Sequence, residues 1–583
     1  MGALAFTEAA LAAWLIAAAP QAAEPEGAAA WGEVLSQGRH PWLPGGLTDV
    51  AADLAALVGA EPGGLVWFEG ARPLPALFAA VDLLAGAGEE GLDPREYAAG
   101  LLAEKAMDAG RLTARDRALF DAAVSAELLR FLADVHRGRA DPRRAGLAGP
   151  SARTAIDRAR LLRAARDANR LEDLVLSLEP RYPGYARLKE ALARYRSLEE
   201  EALPEVPPLP RTPVSPWGGA DALRARLAAF GDLSPGEESG PPVGLPADLA
   251  RGVERFQARL GLPVDGVLGR RTLVALNASP GTRARQIELA MERYRWLPDP
   301  GARALLVEVP GAELRALDLE RGEEALSMRV VVGGSDEHQT PMFFGEVRAV
   351  VFHPYWTPPP RIVNEEILPR ERSRPGWLAA HGMDIVVRGG GEGQALPPTA
   401  DNLALVESGR LEIRQRPGPR NDLGLVKFVM PNPECIGLHG TPHRALFGRA
   451  RRDRSHGCIR VEDPIALAAW VLAPERGWDL ARIARALAKE EPVSVRLASP
   501  LSVLVLYGTA SVEGDGRVSF REDLYGLDAR LEEELRRPAS GRDGFESVPP
   551  GPRGRGREPA RPGGRTARRA SARPASSAPR GWS

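Results

Sequence analysis

The sequence predicts a multidomain α+β protein, and three observations support this. The chain has 583 residues, a length typical of about three to four domains. Between residues 113 and 137, apolar side chains recur at three- and four-residue spacings and form one stripe on a helix. Residues 304–309, 314–319 and 328–332 are apolar runs separated by turn residues, which is the pattern of β-strands. We therefore expect helical regions followed by a β-rich region.

Composition is that of an ordinary globular protein. Apolar residues make up 44% of the chain and charged residues 26%. The formal net charge is −1, so no overall positive field attracts nucleic acid, and we expect no nucleic-acid partner. Two cysteines, Cys435 and Cys458, are too few for a disulfide framework.

The first large region, residues 30–215, is predicted to be a helical scaffold. Thr113 has the side chain of an N-cap for the helix that follows it. The sequence Arg139-Ala140-Asp141-Pro142 should stop that helix. The proline-rich stretch from 204 to 216 indicates a stiff linker to the next part of the chain.

A small helical module is predicted at residues 216–280. Residues 249–260 place apolar side chains on one helical face, and residues 272–277 form a second short helix. The glycine-rich sequence between them, residues 261–269, turns the chain.

The β-rich region is predicted at residues 281–500. Residues 358–413 form a long insert with a glycine-rich, charged stretch, which we expect to be partly mobile. Two helices are expected near its end, at 464–472 and 478–487.

A C-terminal hairpin and helix are predicted at residues 501–535, with residues 501–507 and 517–520 as the two strands. The tail, residues 536–583, is predicted to be disordered and rich in arginine and proline. Residues 541–583 contain ten arginines and three acids.

The N-terminus carries an apolar, uncharged run at residues 9–19, closed by the small-residue sequence Ala-Pro-Gln-Ala-Ala-Glu. This is the pattern of a secretory signal, although no Lys or Arg precedes the run. The run is short for a membrane span. We predict that residues 1–23 are a signal peptide or an N-terminal anchor. Export to the periplasm or cell envelope follows, with inner-membrane association if the segment is retained.

The most informative feature is His439-Gly440-Thr441, followed after thirteen residues by Ser455-His456-Gly457-Cys458-Ile459-Arg460. A thiol becomes a good nucleophile when a nearby base takes its proton, since free cysteine has a pKa of about 8.5. Glycine at 457 lets the backbone approach a substrate carbonyl, and backbone N–H groups at such a turn can hold an oxyanion. The pattern indicates a cysteine-dependent enzyme.

This motif resembles the active-site signature of the L,D-transpeptidase catalytic domain, also called the YkuD domain, whose members cross-link peptidoglycan through a cysteine acyl-enzyme. The resemblance implies that Cys458 is the nucleophile and His439 the general base, with no metal and no cofactor. Without an acidic third member, His439 should be oriented by a backbone carbonyl or a polar neighbour. The further residues that it implies are Ser455, His456, Gly457, Arg460 and Gly440 around this pair, and Tyr355, Trp356 and Arg414 on the substrate side.

The flanking regions also resemble parts of this family. Region 30–215 is similar to the scaffold domain of the large, YcbB-like L,D-transpeptidases, through Val66-Trp67-Phe68 and residues 91–97. Region 216–280 resembles the three-helix peptidoglycan-binding domain, which binds glycan or serves only as a spacer. The insert at 358–413 is consistent with a capping subdomain over the active site.

Three further residue groups allow other interpretations. A zinc site could use His439, His443, His456 and Cys458, although no acidic base follows the first histidine as it does in HExxH enzymes. Cys435 is interpreted as a small packing residue on a strand. His353 departs from the asparagine that is common before Pro-Tyr-Trp in the family, and a packing or substrate-rim role is favoured over catalysis.

The function that the resemblance implies is the formation of 3→3 peptidoglycan cross-links on diaminopimelate-containing stem peptides. An L,D-carboxypeptidase-like hydrolase on the same thioester is one alternative, and a non-catalytic peptidoglycan-binding scaffold is another. The expected partners are stem peptides and glycan, and carbapenem-type inhibitors should acylate the cysteine.

Overall fold

A computed structural model describes residues 25–61, 64–149, 153–209, 217–233, 245–299, 301–335, 338–389 and 394–537. The predicted signal or anchor at 1–23 and the tail beyond residue 537 lie outside these residues. The chain divides into two compact units. The first contains the described parts of Met1–Trp356 and Pro417–Asp543, and the second contains those of Thr357–Arg416.

The N-terminal part of the first unit is helical, as predicted. Its longest helix is capped by Thr113, whose Oγ1 accepts the N–H of Asp116. This confirms the predicted N-cap, and the helix ends at Arg137, just before the predicted stop. The helices are α1 (Pro25–Gln37), α2 (Ala51–Val58), α3 (Pro75–Ala85), α4 (Ala99–Met107), α5 (Ala114–Arg137), α6 (Arg158–Asp167), α7 (Leu171–Leu178) and α8 (Pro183–Glu200). A short hairpin lies between α2 and α3, and its strands β1 (Phe68–Glu69) and β2 (Arg72–Pro73) have two residues each.

The small module also has the predicted helices. They are α9 (Ala220–Ala229), α10 (Ala247–Leu260) and α11 (Arg270–Leu276), and α12 (Pro280–Tyr294) leads out of the module. The turn after α10 begins at Gly261, which has a φ of 67°, a conformation that glycine adopts without steric cost. Phe256 of α10 stacks on Phe230, with ring centroids 6.1 Å apart. The module shares its hydrophobic core with Leu306 and Leu504 of the β-rich region.

The β-rich region forms a sheet of nine strands, which are β3 (Arg303–Glu308), β4 (Glu313–Asp318), β5 (Glu323–Gly333), β6 (Phe343–Phe352), β9 (Val426–Val429), β10 (Leu438–His439), β11 (Asp453–Ser455), β12 (Ile459–Val461) and β13 (Val493–Leu506). Their order in the sheet is β11-β5-β12-β10-β9-β6-β13-β3-β4. A further pairing of β4 with β5 closes eight of them into a barrel-like ring. The predicted strands at 304–309, 314–319 and 328–332 are confirmed.

Two helices complete this region, as predicted. They are α17 (Pro464–Leu472) and α18 (Leu480–Ala488). Leu467 and Ile483 from these helices join the core formed by Val330, Val350 and Phe428 of the sheet. Burying each such side chain contributes about 1.5–3 kcal/mol to the free energy of folding. The sheet is therefore a rigid support for the side chains on its strands.

The predicted pairing of the C-terminal hairpin was wrong. Residues 501–506 belong to β13, where they pair with β6 and with β3. The hairpin is instead β14 (Ala510–Val512) with β15 (Val518–Phe520), followed by α19 (Leu527–Leu535). The physical reason is burial on both faces, since residues 503–506 are all buried, and such a run belongs in the interior of a sheet.

His353 follows β6 in the left-handed region of the backbone, with a φ of 50°. This conformation is uncommon outside glycine, and histidine is, with Asn and Asp, one of the residues enriched in it. The side chain is buried, and its Nε2 lies 2.7 Å from the carbonyl oxygen of Leu487. These contacts support the packing interpretation of His353.

The second unit contains a hairpin of β7 (Met383–Val387) and β8 (Leu411–Gln415). Its helical segments are α13 (Pro360–Ile362), a π-helical turn (Val363–Ile367), α14 (Leu368–Ser373), α15 (Trp377–Ala380) and α16 (Ala400–Glu407). Thr399 caps α16 by accepting the N–H of Asn402. The unit therefore has its own secondary structure, and its capping role stays a prediction.

No helix among the described residues has both the length and the apolar character that a membrane span requires.

Candidate active site

Two adjacent parallel strands bring the predicted cysteine and histidine together. In the pairing of β10 with β12, Leu438 lies opposite Ile459 and His439 opposite Arg460. The N–H of Ile459 donates to the carbonyl of Gly437 at 2.8 Å, which extends the ladder back to Cys458. Because side chains alternate along a strand, Cys458 and Arg460 share the sheet face that His439 also occupies.

Gly437 fixes the distance between the thiol and the imidazole. Its N–H donates to Sγ of Cys458 at 3.3 Å. A Cβ placed on Gly437 would lie 3.4 Å from Cys458 Sγ and 3.4 Å from Cδ2 of His439. The sulfur and this ring carbon therefore both lie 3.4 Å from the same position, and the distance between them is at most twice that value.

The backbone orients His439, as expected from the lack of an acidic third member. Nδ1 lies 2.6 Å from the carbonyl oxygen of Gly440, so in the neutral ring Nδ1–H donates and Nε2 is an acceptor. Cδ2 is bonded to Nε2, and hence the edge of the ring near Cys458 is the edge that can take a proton. Gly440 itself is held by a bond from its N–H to the carbonyl of Val426 at 2.9 Å.

Burial dominates the electrostatics of this pair. The pKa of His439 is lowered to about 4, chiefly by burial and in part by the charges of Arg460 and Lys427, while the hydrogen bond to Gly440 raises it. Burial also raises the pKa of Cys458, while the N–H of Gly437, Arg460 and Lys427 lower it in part. At neutral pH the resting pair is therefore a thiol beside a neutral imidazole.

Ser455 holds the turn that carries the nucleophile. Its side chain is buried, its Oγ donates to the carbonyl of Cys458 at 2.6 Å, and it accepts the N–H of Gly457 at 3.2 Å. Gly457 has a φ of 103°, which glycine tolerates and other residues rarely adopt. The turn thus depends on both residues.

Two residues that the sequence analysis did not single out support the same turn. Oγ1 of Thr340 donates to the carbonyl of Gly457 at 2.7 Å and accepts the N–H of Gly333 at 2.8 Å. The hydroxyl of Tyr525 donates to the carbonyl of Gly333 at 2.6 Å. This network ties the cysteine turn to the end of β5 and to the C-terminal segment.

Comparison with known families agrees with this arrangement. Residues 303–495 match the family model described as "L,D-transpeptidase catalytic domain", and this range contains the Cys458–His439 site. Residues 303–495 are thus similar to an L,D-transpeptidase catalytic domain. Residues 60–192 match a model described as "Scaffold domain", and residues 220–276 one described as "Putative peptidoglycan binding domain". The resemblances predicted for all three regions are confirmed.

One curated relative, a "Putative L,D-transpeptidase" of Haemophilus influenzae, is 31% identical over 248 residues. The aligned segment covers 42% of this chain and 49% of the relative. The chain thus spans about half the length of the curated relative that it matches.

The remaining predicted site residues lie in different parts of the fold. The ring of His456 packs edge-on against His338, with centroids 4.6 Å apart. Tyr355 and Trp356 are half-buried after β6, at the end of the first segment of unit 1. Arg414 belongs to the second unit, on β8 opposite Asp384. Their substrate contacts stay predictions.

The side chains of the zinc alternative do not form a ligand cluster in the described part of the chain, where no three His, Cys, Asp or Glu side chains are placed to hold a metal ion. His439 points Nδ1 at Gly440, and His443 Nε2 lies 3.4 Å from Asp422 instead.

The interpretation of Cys435 as a packing residue was wrong. Cys435 is exposed and has a φ of 56°, outside the strands. Asn432 builds the turn around it, since its Oδ1 accepts the N–H of Ile436 and its Nδ2 donates to the carbonyls of Ile436 and Met430. This turn, rather than a continuous strand, presents Cys435 to solvent.

Lys427 is the charged residue of the site that the sequence analysis missed. It lies on β9 directly opposite His439. The signal in the sequence is a lysine between Val426 and Phe428 of an apolar run, in a chain that uses arginine for nearly all of its basic residues. Only the pairing of β9 with β10 shows which residues it faces.

Proposed function

We propose that the protein is an L,D-transpeptidase that forms 3→3 peptidoglycan cross-links through a thioester on Cys458. The observation that carries this proposal is the shared face of β10 and β12, where Cys458 Sγ and His439 Cδ2 flank Gly437. The match of residues 303–495 to the catalytic domain supports an enzyme that acts on peptidoglycan. A cell-envelope or periplasmic location is part of the same proposal.

In the first half-reaction, Sγ of Cys458 attacks the carbonyl at the L-centre of diaminopimelate in a tetrapeptide stem. Nε2 of His439 takes the thiol proton and then delivers it to the nitrogen of the leaving D-amino acid, as the C–N bond breaks and the C–S bond remains. The low pKa of His439, about 4, keeps the imidazole neutral and ready to accept this proton.

In the second half-reaction, the side-chain amine of another diaminopimelate attacks the thioester. The new amide forms, the C–S bond breaks, and the thiol regains a proton. Splitting an amide exchange into these two steps is ordinary nucleophilic catalysis. An amine wins over water only when water is excluded from the thioester, and this is the role that we propose for the insert at residues 358–413.

The oxyanion of each tetrahedral intermediate needs backbone donors near Cys458. The N–H of Gly457 is already engaged by Ser455 Oγ. We therefore assign the oxyanion to the backbone N–H of Cys458, while the N–H of Gly437 donates to Sγ.

The test begins with intact-protein mass after incubation with a carbapenem. We expect a drug-sized mass gain in the wild type and none in Cys458→Ala, with Cys435→Ser as the matched control that still gains mass. A folded wild type that gains no mass contradicts the proposal and favours the non-catalytic scaffold.

A second measurement separates transfer from hydrolysis. Disaccharide-tetrapeptide fragments are incubated with the enzyme, and the products are analysed by mass spectrometry. Dimers linked between two diaminopimelate residues are expected, and tripeptide products without dimers would instead identify an L,D-carboxypeptidase-like hydrolase.

A further inference from the structure

Lys427 lies on the same face of the sheet as the nucleophile and the base. It is paired with His439 on one side and with Val351 of β6 on the other. Directly paired residues point to one face of a sheet. The ammonium group therefore belongs to the row that contains His439 and Arg460, and its second neighbour across the sheet is apolar.

No carboxylate in the described part of the chain forms an ion pair with Lys427, and besides burial the charge that acts on it is that of Cys458. Lys189, also partly buried, is different, since it bridges the carboxylates of Glu90 and Glu179. A buried cation normally has a counter-charge, because its desolvation is otherwise costly. The group whose negative charge acts on Lys427 is the Cys458 thiolate.

We propose that Lys427 is a positioning residue whose ammonium group is the fixed counter-charge of the Cys458 thiolate. The inference rests on the proposed function in that Cys458 is the nucleophile. It adds a residue that the resemblance did not include, and it explains why an ammonium group lies within an apolar strand.

The charged forms of Lys427 and Cys458 stabilise each other, as linkage requires. Burial lowers the pKa of Lys427, and the Cys458 thiolate raises it again. Burial raises the pKa of Cys458, and Lys427 is among the groups that lower it. Formation of the thiolate thus favours the ammonium form of Lys427, and the ammonium form favours the thiolate.

Other charged groups near Cys458 act differently. Arg460 also lowers the pKa of Cys458, but Asp422 acts on Arg460 as an opposing charge. Cys435, on the preceding turn, raises the pKa of Cys458 when ionised. His439 on β10 is held neutral by burial. On β5, the residue opposite Arg460 is Val331, which carries no charge.

The test measures the ionisation of Cys458 directly. Alkylation by iodoacetamide is followed by intact mass as a function of pH, in a Cys435→Ser background so that one thiol reacts. The variants are Lys427→Met, which removes the charge and keeps the stem length, and Lys427→Arg, which keeps the charge. Lys489→Met is the matched control, because Lys489 is exposed at the end of α18.

We expect Lys427→Met to shift the alkylation profile by about one pH unit to higher pH, which lowers the rate roughly tenfold at a pH below the midpoint. Lys427→Arg and Lys489→Met should stay within about threefold of the parent. A Lys427→Met profile that coincides with the parent overturns the inference, as does a Lys427→Arg shift equal to that of Lys427→Met. Should Lys427→Met fail to fold by circular dichroism, Lys427→Gln is measured in its place.

The outcome is separable from the proposed function, because alkylation needs neither carbapenem nor peptidoglycan. A protein that shows the shift but forms no acyl-enzyme with a carbapenem would lose the proposed function and keep the electrostatic role of Lys427. A protein that acylates normally with a carbapenem but shows no shift would keep the proposed function and lose the electrostatic role of Lys427.

Discussion

The Nδ1 atom of His439 lies 2.6 Å from the carbonyl oxygen of Gly440, the next residue in the chain. A backbone carbonyl thus does the orienting that an acidic side chain does in a Ser-His-Asp triad. It selects the tautomer with Nε2 unprotonated and adds no negative charge. The imidazolium that forms during proton transfer is therefore stabilised less than it is beside a carboxylate, and burial disfavours it further.

Replacing His439 with Gln removes the proton acceptor and keeps a similar side-chain volume. We expect the second-order rate constant for carbapenem acylation to fall by about 10²–10⁴-fold, the range for loss of a general base. Acylation is measured by timed intact mass. His443→Gln is the control, since His443 is exposed, and it should change the rate by less than about threefold. Equal rates in the wild type and His439→Gln would remove His439 from the mechanism.

The pH profile of acylation should have an acid limb near pH 4. The pKa of His439 is lowered to about 4 by burial, so Nε2 is protonated, and unable to accept a proton, below that pH. As the pH falls below that value, the decrease in the rate constant should approach about tenfold for each pH unit. It should not fall on the alkaline side, because burial raises the pKa of Cys458 and thiolate accumulates only at high pH.

This profile is measured with short carbapenem pulses between about pH 3.5 and about pH 9, a range that spans the ordinary pKa of histidine, with circular dichroism confirming that the protein stays folded. An acid limb near the ordinary histidine pKa of about 6.5 would show that His439 is solvated in solution. The same limb in His443→Gln would assign it to the buried histidine.

Replacing Ser455 with Ala removes the hydroxyl that joins Cys458 and Gly457. Leaving a buried donor without a partner costs about 1–3 kcal/mol, which should appear as a lower free energy of unfolding in urea. The displaced turn should also slow acylation by about ten- to a hundredfold, because small misplacements of a reacting group are costly. Ser494→Ala, at an exposed position of β13, is the control. A Ser455→Ala variant with wild-type acylation would show that the turn keeps its conformation without the Ser455 hydroxyl.

Local signals predicted much of the fold. Thr113 predicted the start of α5 because an N-cap is a contact between residues three apart. The apolar runs predicted β3, β4 and β5 for the same reason, since alternation or continuous burial appears within one strand. The motif around Cys458 also predicted the residues of the cysteine turn, although not the bonds between them.

Errors and omissions came from long-range pairing. The sequence cannot show that residues 501–506 pair with β3 rather than with the next hairpin strand, because both partners are apolar. It also cannot show that Lys427 faces His439, since the two are brought together by the register of β9 and β10. Cys435 was misplaced because it was grouped with the apolar residues that follow it, although Pro431-Asn432-Pro433 before it is a turn signal.

The base lies on β10, and the nucleophile immediately precedes the neighbouring parallel strand β12. The chain between them leaves β10, forms β11, which pairs with β5, and then turns into β12. The spacing of Sγ and the imidazole is therefore set by the ladder of β10 and β12, in which Ile459 bonds to Gly437. The intervening single-turn helix, Arg444–Gly448, takes no part in that ladder. In this arrangement the strands set the positions of the reacting atoms, and the loop between them shapes the entrance to the site. The loop can therefore vary in length while the reacting atoms keep their geometry.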